Sequence, residues 1–199
     1  MDGYKSEMQQ KLINKGFEHK AYDGEEYFEG EFNGTQVHIH IGTNNYKVYR
    51  IMIADANLQD EANIKIRFNK LVQQFEHNPR YFTTDEYTLS DKEDISYEMS
   101  VNKKIYEAVY YQLPDTTIDN SEYINSLALS YLLTKYTEDQ ILNPTEEIAK
   151  EYQEIIANKV LLHITLQKAV WFRITEYYGE YYITMYYDNL YNQANGEDL

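Results

Sequence analysis

Alternating apolar and polar residues near the C-terminus predict a β-hairpin between Ala169 and Asp188. Two runs with a period of two residues flank Tyr178-Gly179, which is the pattern of paired strands. A two- or four-residue loop makes one face apolar throughout. The cross-strand pairs of that face are Val170–Tyr187, Phe172–Met185 and Ile174–Ile183. A three-residue loop would set Phe172 against Thr184, so the apolar pattern selects the register.

The other face of this hairpin is predicted to carry aromatic and polar side chains. It sets Trp171, Arg173, Thr175 and Tyr177 opposite Tyr186, Thr184, Tyr182 and Glu180. Antiparallel sheets commonly have one face toward solvent, and this is the simplest interpretation of the row. The alternative interpretation is that Trp171, Tyr182 and Tyr186 form a contact surface for a partner.

The N-terminal third predicts a helix followed by a meander of strands. Residues 4–17 have apolar side chains four residues apart and end in Lys15-Gly16-Phe17, a helix stop after which Phe17 folds back onto the last turn. Asn33-Gly34 is the preferred centre of a type I′ hairpin turn. The predicted pairs around it are Phe28–Ile39, Gly30–Val37, Glu29–His38 and Tyr27–His40. Gly42-Thr43-Asn44-Asn45 then predicts a turn into a third strand over Lys47 to Ala54.

A second helix follows, with Asn57 as its predicted N-cap and Asn78-Pro79 as its end. Its apolar residues fall on one stripe with helical spacing. They are Ile64, Phe68, Leu71, Val72 and Phe75. This helix is predicted to lie across the apolar face of the first meander.

The segment after this helix carries weaker patterns. Tyr81 to Leu89 is predicted to be a strand, and Asp91 to Asp94 an acidic turn. Alternation from Ile95 to Val101 predicts another strand. Ile105 to Leu113 is either its hairpin partner or a helix, because Tyr106, Val109 and Tyr110 also fit the helical period.

Residues 115–167 have the character of a helical insertion. Ser121 is a predicted N-cap, and Asn143-Pro144 is predicted to open a second helix with proline at its first position. An αα-hairpin between strands fits this segment. The polar tail from Asn189 to Leu199 is expected to fray.

This element order predicts the α+β class. We expect a single domain over residues 1–199, with antiparallel meander sheets, helices packed on one face, and the αα-hairpin inserted before the C-terminal β-hairpin. A chain of 199 residues can bury a full core without disulfides, and this one has no cysteine.

Charge narrows the range of partners. Eighteen basic and 33 acidic residues give a formal net charge of −15. Such a surface repels phosphate backbones and anionic membranes, so we expect no nucleic-acid partner. No apolar run is long enough for a transmembrane segment. Twenty-two tyrosines are typical of a sheet with wet aromatic faces.

Three segments stand out in the first third of the chain: Asp2-Gly3, Lys15-Gly16-Phe17 and Phe28-Glu29-Gly30-Glu31-Phe32-Asn33-Gly34. Through these segments the chain resembles a family of uncharacterised exported proteins of Gram-negative gut anaerobes. The resemblance implies that Met1 lies inside a longer gene product and that the protein is periplasmic or at the cell surface. It supplies no catalytic residues. The element order is also similar to β-lactamase-inhibitor-like and PepSY-like folds.

Three side chains are candidate metal ligands. His38 and His40 project from the same face of one strand, and Glu29 is predicted opposite His38. Two histidines and a carboxylate can bind zinc. The longer ligand spacings of established metal motifs are absent, however, so a polar strand face without a metal ion is the preferred interpretation, and we predict no cofactor.

No established catalytic motif is present. The chain has no Gly-x-Ser-x-Gly elbow and no Gly-rich phosphate loop. Paired carboxylates are expected on the surface of so acidic a chain, and Asp188-Asn189 is interpreted as ordinary turn chemistry.

The leading hypothesis is therefore a non-enzymatic, exported binding or interaction module. Its tyrosine-rich sheet face, with Trp171, Tyr182 and Tyr186, would contact a protein or a glycan. The alternative is a metal-assisted hydrolase centred on Glu29, His38 and His40. A third possibility is a structural subunit that self-associates through a broad apolar patch. The sequence leaves the oligomeric state open.

Overall fold

One eight-stranded sheet and the helices packed on it build most of the fold. A computed structural model describes residues 3–114 and 121–193 of the chain. The strands are β1 (Glu18–Tyr22), β2 (Glu25–Phe32), β3 (Thr35–Asn44), β4 (Lys47–Asp55), β5 (Tyr81–Phe82), β6 (Glu107–Gln112), β7 (Lys168–Tyr177) and β8 (Glu180–Asn189). Their order is β1-β2-β3-β4-β8-β7-β6-β5, with all neighbours antiparallel. The predicted α+β class with an antiparallel meander sheet is confirmed.

One helix precedes the first strand, a 3₁₀ turn follows the last, and the other described helices lie between strands. They are α1 (Lys5–Asn14), α2 (Glu61–Glu76), α3 (Ile95–Ser100), α4 (Ser121–Leu133), α5 (Glu138–Leu142), α6 (Glu146–Glu154), a π-helix (Ile155–Val160), α7 (Leu161–Leu166) and a 3₁₀ turn (Leu190–Asn192). Among the described residues, no helix is both long and apolar enough to cross a bilayer.

The chain separates into two compact units. The first takes in residues up to Gln112 and from Lys168 onward, and the second is Leu113–Gln167. The described residues of the second unit hold α4 to α7 and the π-helix, which is more than the αα-hairpin predicted there. Thr145, whose hydroxyl accepts from the Ile148 amide, caps α6. Pro144 therefore precedes the N-cap and is not the first helical residue. The tail from Asn189 to Leu199 was predicted to fray, but Asn189 ends β8 and is fully buried, and Leu190–Asn192 form the 3₁₀ turn. Residues 194–199 lie outside the described residues.

The N-terminal hairpin forms with the predicted register. Asn33 and Gly34 have φ angles of 53° and 75°, as a type I′ turn requires. The confirmed pairs are Phe28–Ile39, Glu29–His38 and Gly30–Val37. The next turn was predicted over Gly42-Thr43-Asn44-Asn45. It comes later in the chain, because β3 continues through an irregularity at Gly42/Thr43 to Asn44. Asn45-Tyr46 makes that turn, again with two positive φ angles.

Strand β1 was not predicted. It pairs with β2 around Asp23-Gly24, whose φ angles are 51° and 84°. Asp-Gly is a favoured type I′ pair, so the signal for this hairpin is present in the sequence. Phe17 is the last of three residues between α1 and β1, and its amide donates back to the Leu12 carbonyl of the last helical turn. The Phe17 ring packs so closely on Gly30 that a Cβ at this position would clash with it, which explains the glycine.

The C-terminal hairpin has the predicted register at every pair, with Tyr178-Gly179 as a two-residue turn. Its apolar face is buried. Along the edge that does not pair with β7, β8 pairs with β4. The hairpin therefore lies at the centre of the sheet and joins the N-terminal meander to β6 and β5.

Helix α2 covers the middle of the sheet. All five residues of the predicted stripe are buried. Phe68 packs edge-on against Phe172 with ring centroids 5.2 Å apart, and Phe75 stacks on Tyr110 at 5.1 Å. The helix therefore lies chiefly against the C-terminal strands, not across the first meander as predicted. Its N-cap is Asp60, which accepts from the Asn63 amide, and not Asn57.

The two strands predicted between residues 81 and 101 are largely wrong. Only Tyr81–Phe82 is a strand, and the Leu89 backbone bonds to the Asn69 side chain instead of to a neighbouring strand. Residues Ile95–Ser100 form α3, because Asp94 caps the Tyr97 amide and starts a helical turn. The segment left open between strand and helix contains strand β6.

A buried ion pair ties α2 to the end of β4. The Arg67 guanidinium lies 3.1 Å from Asp55 Oδ1, and both side chains are under 10 % exposed. Arg67 also donates to the Asn33 carbonyl, and Asp55 Oδ2 accepts from the Ile183 amide. One carboxylate thus connects α2, β4 and β8.

We expect Phe68→Ala to lower the free energy of unfolding by about 3–5 kcal/mol, because it removes a fully buried ring. Urea unfolding measures this value. Ile66→Ala on the same helix is the control, since Ile66 is 62 % exposed. A loss for Phe68→Ala no larger than for the control would contradict the packing of α2.

We expect Arg67→Met to cost about 3–5 kcal/mol of unfolding free energy, since it leaves the Asp55 carboxylate buried without its ion-pair partner. Adding Asp55→Asn should recover part of the loss, because the charge is then gone while an acceptor for Ile183 remains. Lys70→Met, an exposed change on the same helix, is the control. Equal stability of the two methionine variants would refute the role of the pair.

Candidate functional site

The outer face of the sheet in the first unit is the candidate site. Helices α1, α2 and α3 all contribute to the hydrophobic cluster on the opposite, inner face, through residues such as Leu12, Phe68 and Ile95. Among the described residues, the apolar side chains of the outer face, such as Trp171 and Met52, are not part of that cluster. That face includes Trp171, Tyr182 and Tyr186, which the sequence predicted as a contact surface.

Strand pairing places one line of side chains across seven strands of this face. From β6 to β1 its members are Val109, Trp171, Tyr186, Met52, His40, Tyr27 and Lys20. All are half-buried. Six strand spacings make this line, called the outer row below, about 29 Å long. It is long enough to contact an extended segment of a partner.

Four side chains form a fixed cluster at the centre of the sheet's outer face. The Trp171 and Tyr186 rings stack with centroids 4.0 Å apart and an angle of 15°. The Arg50 guanidinium lies 5.1 Å from the Tyr186 centroid and 5.8 Å from that of Trp171. Asp188 accepts two hydrogen bonds from Arg50, at 2.6 and 2.9 Å, and one from the Trp171 indole at 2.9 Å. The cluster is thus positioned before any partner binds.

The contact with Asp188 affects the ionisation of Arg50. The hydrogen bond from Arg50 to Asp188 raises the pKa of the guanidinium, while partial burial acts in the opposite direction. The Asp188 side chain is only 12 % exposed. Because the carboxylate is satisfied by three donors, it serves to orient Arg50 and Trp171 and has little capacity left to bind a ligand directly.

Ring stacking changes what the predicted surface can contact. Trp171 and Tyr186 each use one ring face on the other, and Arg50 lies near both rings. Tyr182 is on the same side of the sheet, but four residues along the strand from Tyr186 is about 13 Å. The structure therefore brings two of the three predicted residues together, and Tyr182 stands apart.

Glu29, His38 and His40 also lie on the outer face, near the opposite end of the row. Glu29 Oε1 is 3.4 Å from the His38 ring nitrogen, and the His40 ring stacks on Tyr27 at 5.8 Å. Within residues 3–114 and 121–193, no group of three or more side chains is arranged to hold a metal ion. The three candidates do not converge on one point: Glu29 contacts His38 and Lys20, and the Tyr27 ring contacts both histidines.

Acidic residues flank the row on strands β1 and β2. Glu18 lies directly opposite Glu29, and Lys20 bridges them at 2.7 and 3.8 Å. The hydrogen bond from Lys20 is the main cause that lowers the pKa of Glu18. Glu31, on the same strand and face as Glu29, is exposed. This end of the face is therefore net negative, in line with the charge of the whole chain.

Sequence reasoning did not find Arg50 and Met52. Both lie on the outward side of β4, where the alternation of that strand would place them. Their proximity to Tyr186 and Asp188 depends on the pairing of β4 with β8. No local pattern reports a pairing between strands more than 120 residues apart in sequence.

Comparisons with protein families, with curated proteins and with solved structures give no match for this chain. The chemistry of the outer face and the helical unit is therefore the basis for a function.

The half-buried His40 should make stability depend on pH. Burial is the main cause that lowers the pKa of His40 from its ordinary value of 6.5; Glu25 raises this pKa in part, and His38 lowers it further. The unfolded chain then takes up this proton at a higher pH than the folded chain. The contribution to stability is complete above pH 6.5 and is lost as the pH falls through the folded pKa.

We expect the wild type to lose more unfolding free energy between about pH 7.5 and pH 5.5 than His40→Gln does. Urea unfolding at the two pH values measures the difference. Ile66→Ala, an exposed change on α2 that removes no ionisable group, should show the same pH profile as the wild type. Parallel pH profiles for wild type and His40→Gln would show that His40 titrates alike in the folded and unfolded chains.

Proposed function

We propose that this protein is a non-enzymatic binding module whose outer sheet face contacts a protein partner. The observation that carries the proposal is the cluster of Arg50, Trp171, Tyr186 and Asp188 in the middle of that face. The resemblance of the N-terminal third to exported proteins supports a location in the periplasm or at the cell surface.

The composition of the face favours a protein interface. Tryptophan, tyrosine, methionine and arginine are enriched in protein–protein interfaces. Tryptophan, tyrosine and arginine are also the residues that most often dominate the binding energy. The stack and the bidentate ion pair hold these side chains in place. Ordering them costs little on binding, because their rotamers are already restricted.

Charge favours a basic partner. The net charge of −15 attracts cations over a long range, and Glu18, Glu29 and Glu31 place negative charge beside the row. Such a field increases the rate of association with a basic surface and discriminates against acidic ones. The partner we propose therefore carries lysine or arginine next to an apolar segment.

A glycan is the second candidate. Sugars bind proteins by stacking on open ring faces, and Tyr182 is half-exposed and stacks on no other ring in the described part of the chain. The Trp171–Tyr186 pair is less suited to this, since each ring covers the other. The hydrolase centred on Glu29, His38 and His40 has less support, because only Glu29 and His38 approach each other closely.

The test is a selection from a displayed library of random peptides, with a glycan array in parallel. We expect wild-type protein to enrich basic peptides, and a variant with Trp171→Ser, Tyr182→Ser and Tyr186→Ser to lose at least about tenfold in affinity for them. Affinity should also fall as salt rises, because the field is screened. Tyr46→Ser with Tyr97→Ser, at an exposed turn and on α3, both off the outer face, is the matched control.

Circular dichroism must show that the triple variant is folded, since Trp171 bonds to Asp188. Met52→Ser is a milder change in the same row, because Met52 makes no hydrogen bond through its side chain in the described structure. Binding that survives both changes would disprove the proposal. Enrichment of glycans alone, with salt-independent affinity, would replace the protein partner by a sugar.

A further inference from the structure

The second unit contains a pocket that is separate from the outer sheet face. It has a volume of about 260 Å³ and lies among α4, α5 and α6. Its lining residues are Leu129, Leu132, Ile141, Pro144, Ile148, Ala149, Tyr152 and Gln153. From these residues we propose that the helical unit binds one small, neutral, largely apolar molecule.

The depth of the pocket supports this inference. Leu132 is part of the unit's own hydrophobic cluster, and Ile148 is 6 % exposed. The pocket therefore extends from the surface into the packed helices. An apolar cavity of about 150 Å³ is enough to bind benzene, so the larger volume here suits a molecule of two fused rings or a short branched chain.

The lining selects against charge. None of the eight lining residues is ionisable at neutral pH, and six are aliphatic. The Tyr152 hydroxyl already donates to Asn125 Oδ1 at 2.7 Å, which fixes its ring as part of the wall. Gln153 is exposed and offers an amide at the rim. A carboxylate placed here would lose its hydration without an ionic partner, so a neutral ligand with one hydrogen-bonding group fits best.

The walls are held by polar contacts around the pocket. Lys135, just after α4, donates to both oxygens of Glu151 on α6 at 2.8 and 3.0 Å, and the Tyr136 hydroxyl donates to the same carboxylate at 2.6 Å. Thr137 and Gln140 form a capping box that starts α5. Lys135 and Tyr136 lie in the linker between α4 and α5, so their contacts hold α6 against that linker and support a preformed pocket, which is typical of small-molecule sites.

The probe for this site is 1-naphthol, a neutral bicyclic molecule with one hydroxyl, titrated into the full chain by calorimetry. We expect one site per chain and a negative heat-capacity change from apolar burial. The anion 1-naphthoate, of similar size, should bind at least about tenfold more weakly. No saturable heat with 1-naphthol, or equal affinity for the two probes, would overturn the proposal.

Two alanines provide matched variants. Ala149→Phe fills the mouth of the pocket and should weaken 1-naphthol binding at least about tenfold. Ala157→Phe adds the same ring at an exposed helical position outside the lining and should leave the affinity unchanged. Equal effects of the two changes would refute the assignment. If Ala149→Phe lowers the melting temperature, Ala149→Leu replaces it as the smaller filling change.

A final variant separates this site from the outer face. Trp171→Ser with Tyr186→Ser removes the stack of the first unit, where an aromatic probe could also bind. We expect this variant to bind 1-naphthol as the wild type does. Loss of binding there would show that the probe binds the outer face and would overturn the pocket assignment without affecting the proposed function.

Discussion

The antiparallel pairing of β4 with β8 is the contact on which the rest of the first unit depends. It joins an N-terminal meander and a C-terminal hairpin, each closed by local turns, into one sheet. Only then can α2, which packs on the C-terminal strands, also reach Asp55 of β4, and only then do Arg50 and Asp188 meet. Asp55 reinforces the same seam, because it bonds to Arg67 of α2 and to the Ile183 amide of β8. The core and the candidate site therefore rely on one long-range pairing.

The range of each interaction explains how much of the fold could be predicted from sequence. The Asn33-Gly34 hairpin and the hairpin around Tyr178-Gly179 have their predicted registers, because turn chemistry and two-residue alternation are local. Residues 95–100 show alternation too, yet Asp94 caps a helical turn there and overrides it. Alternation over so few residues does not separate a strand from one turn of helix.

Only part of the candidate site could be predicted from sequence, for the same reason. Alternation along β7 and β8 put Trp171 and Tyr186 on one face and opposite each other, and the structure stacks them. Asp188 was interpreted as turn chemistry, but it orients Trp171 and Arg50 through three hydrogen bonds. Its role depends on a residue brought from β4 by long-range pairing. Sequence alone thus identified the rings but not the groups that fix them.

The helical unit is, in topological terms, an elaborated hairpin loop. Strands β6 and β7 pair directly, with Tyr111 opposite Ala169, so the chain leaves and re-enters the sheet at points about 5 Å apart. Closing the ends of a long segment costs little more entropy than closing a short one, and a segment with its own core offsets that cost. The two hydrophobic clusters share no residue. Each unit can therefore carry its own binding chemistry, a rigid aromatic face in one and an apolar pocket in the other.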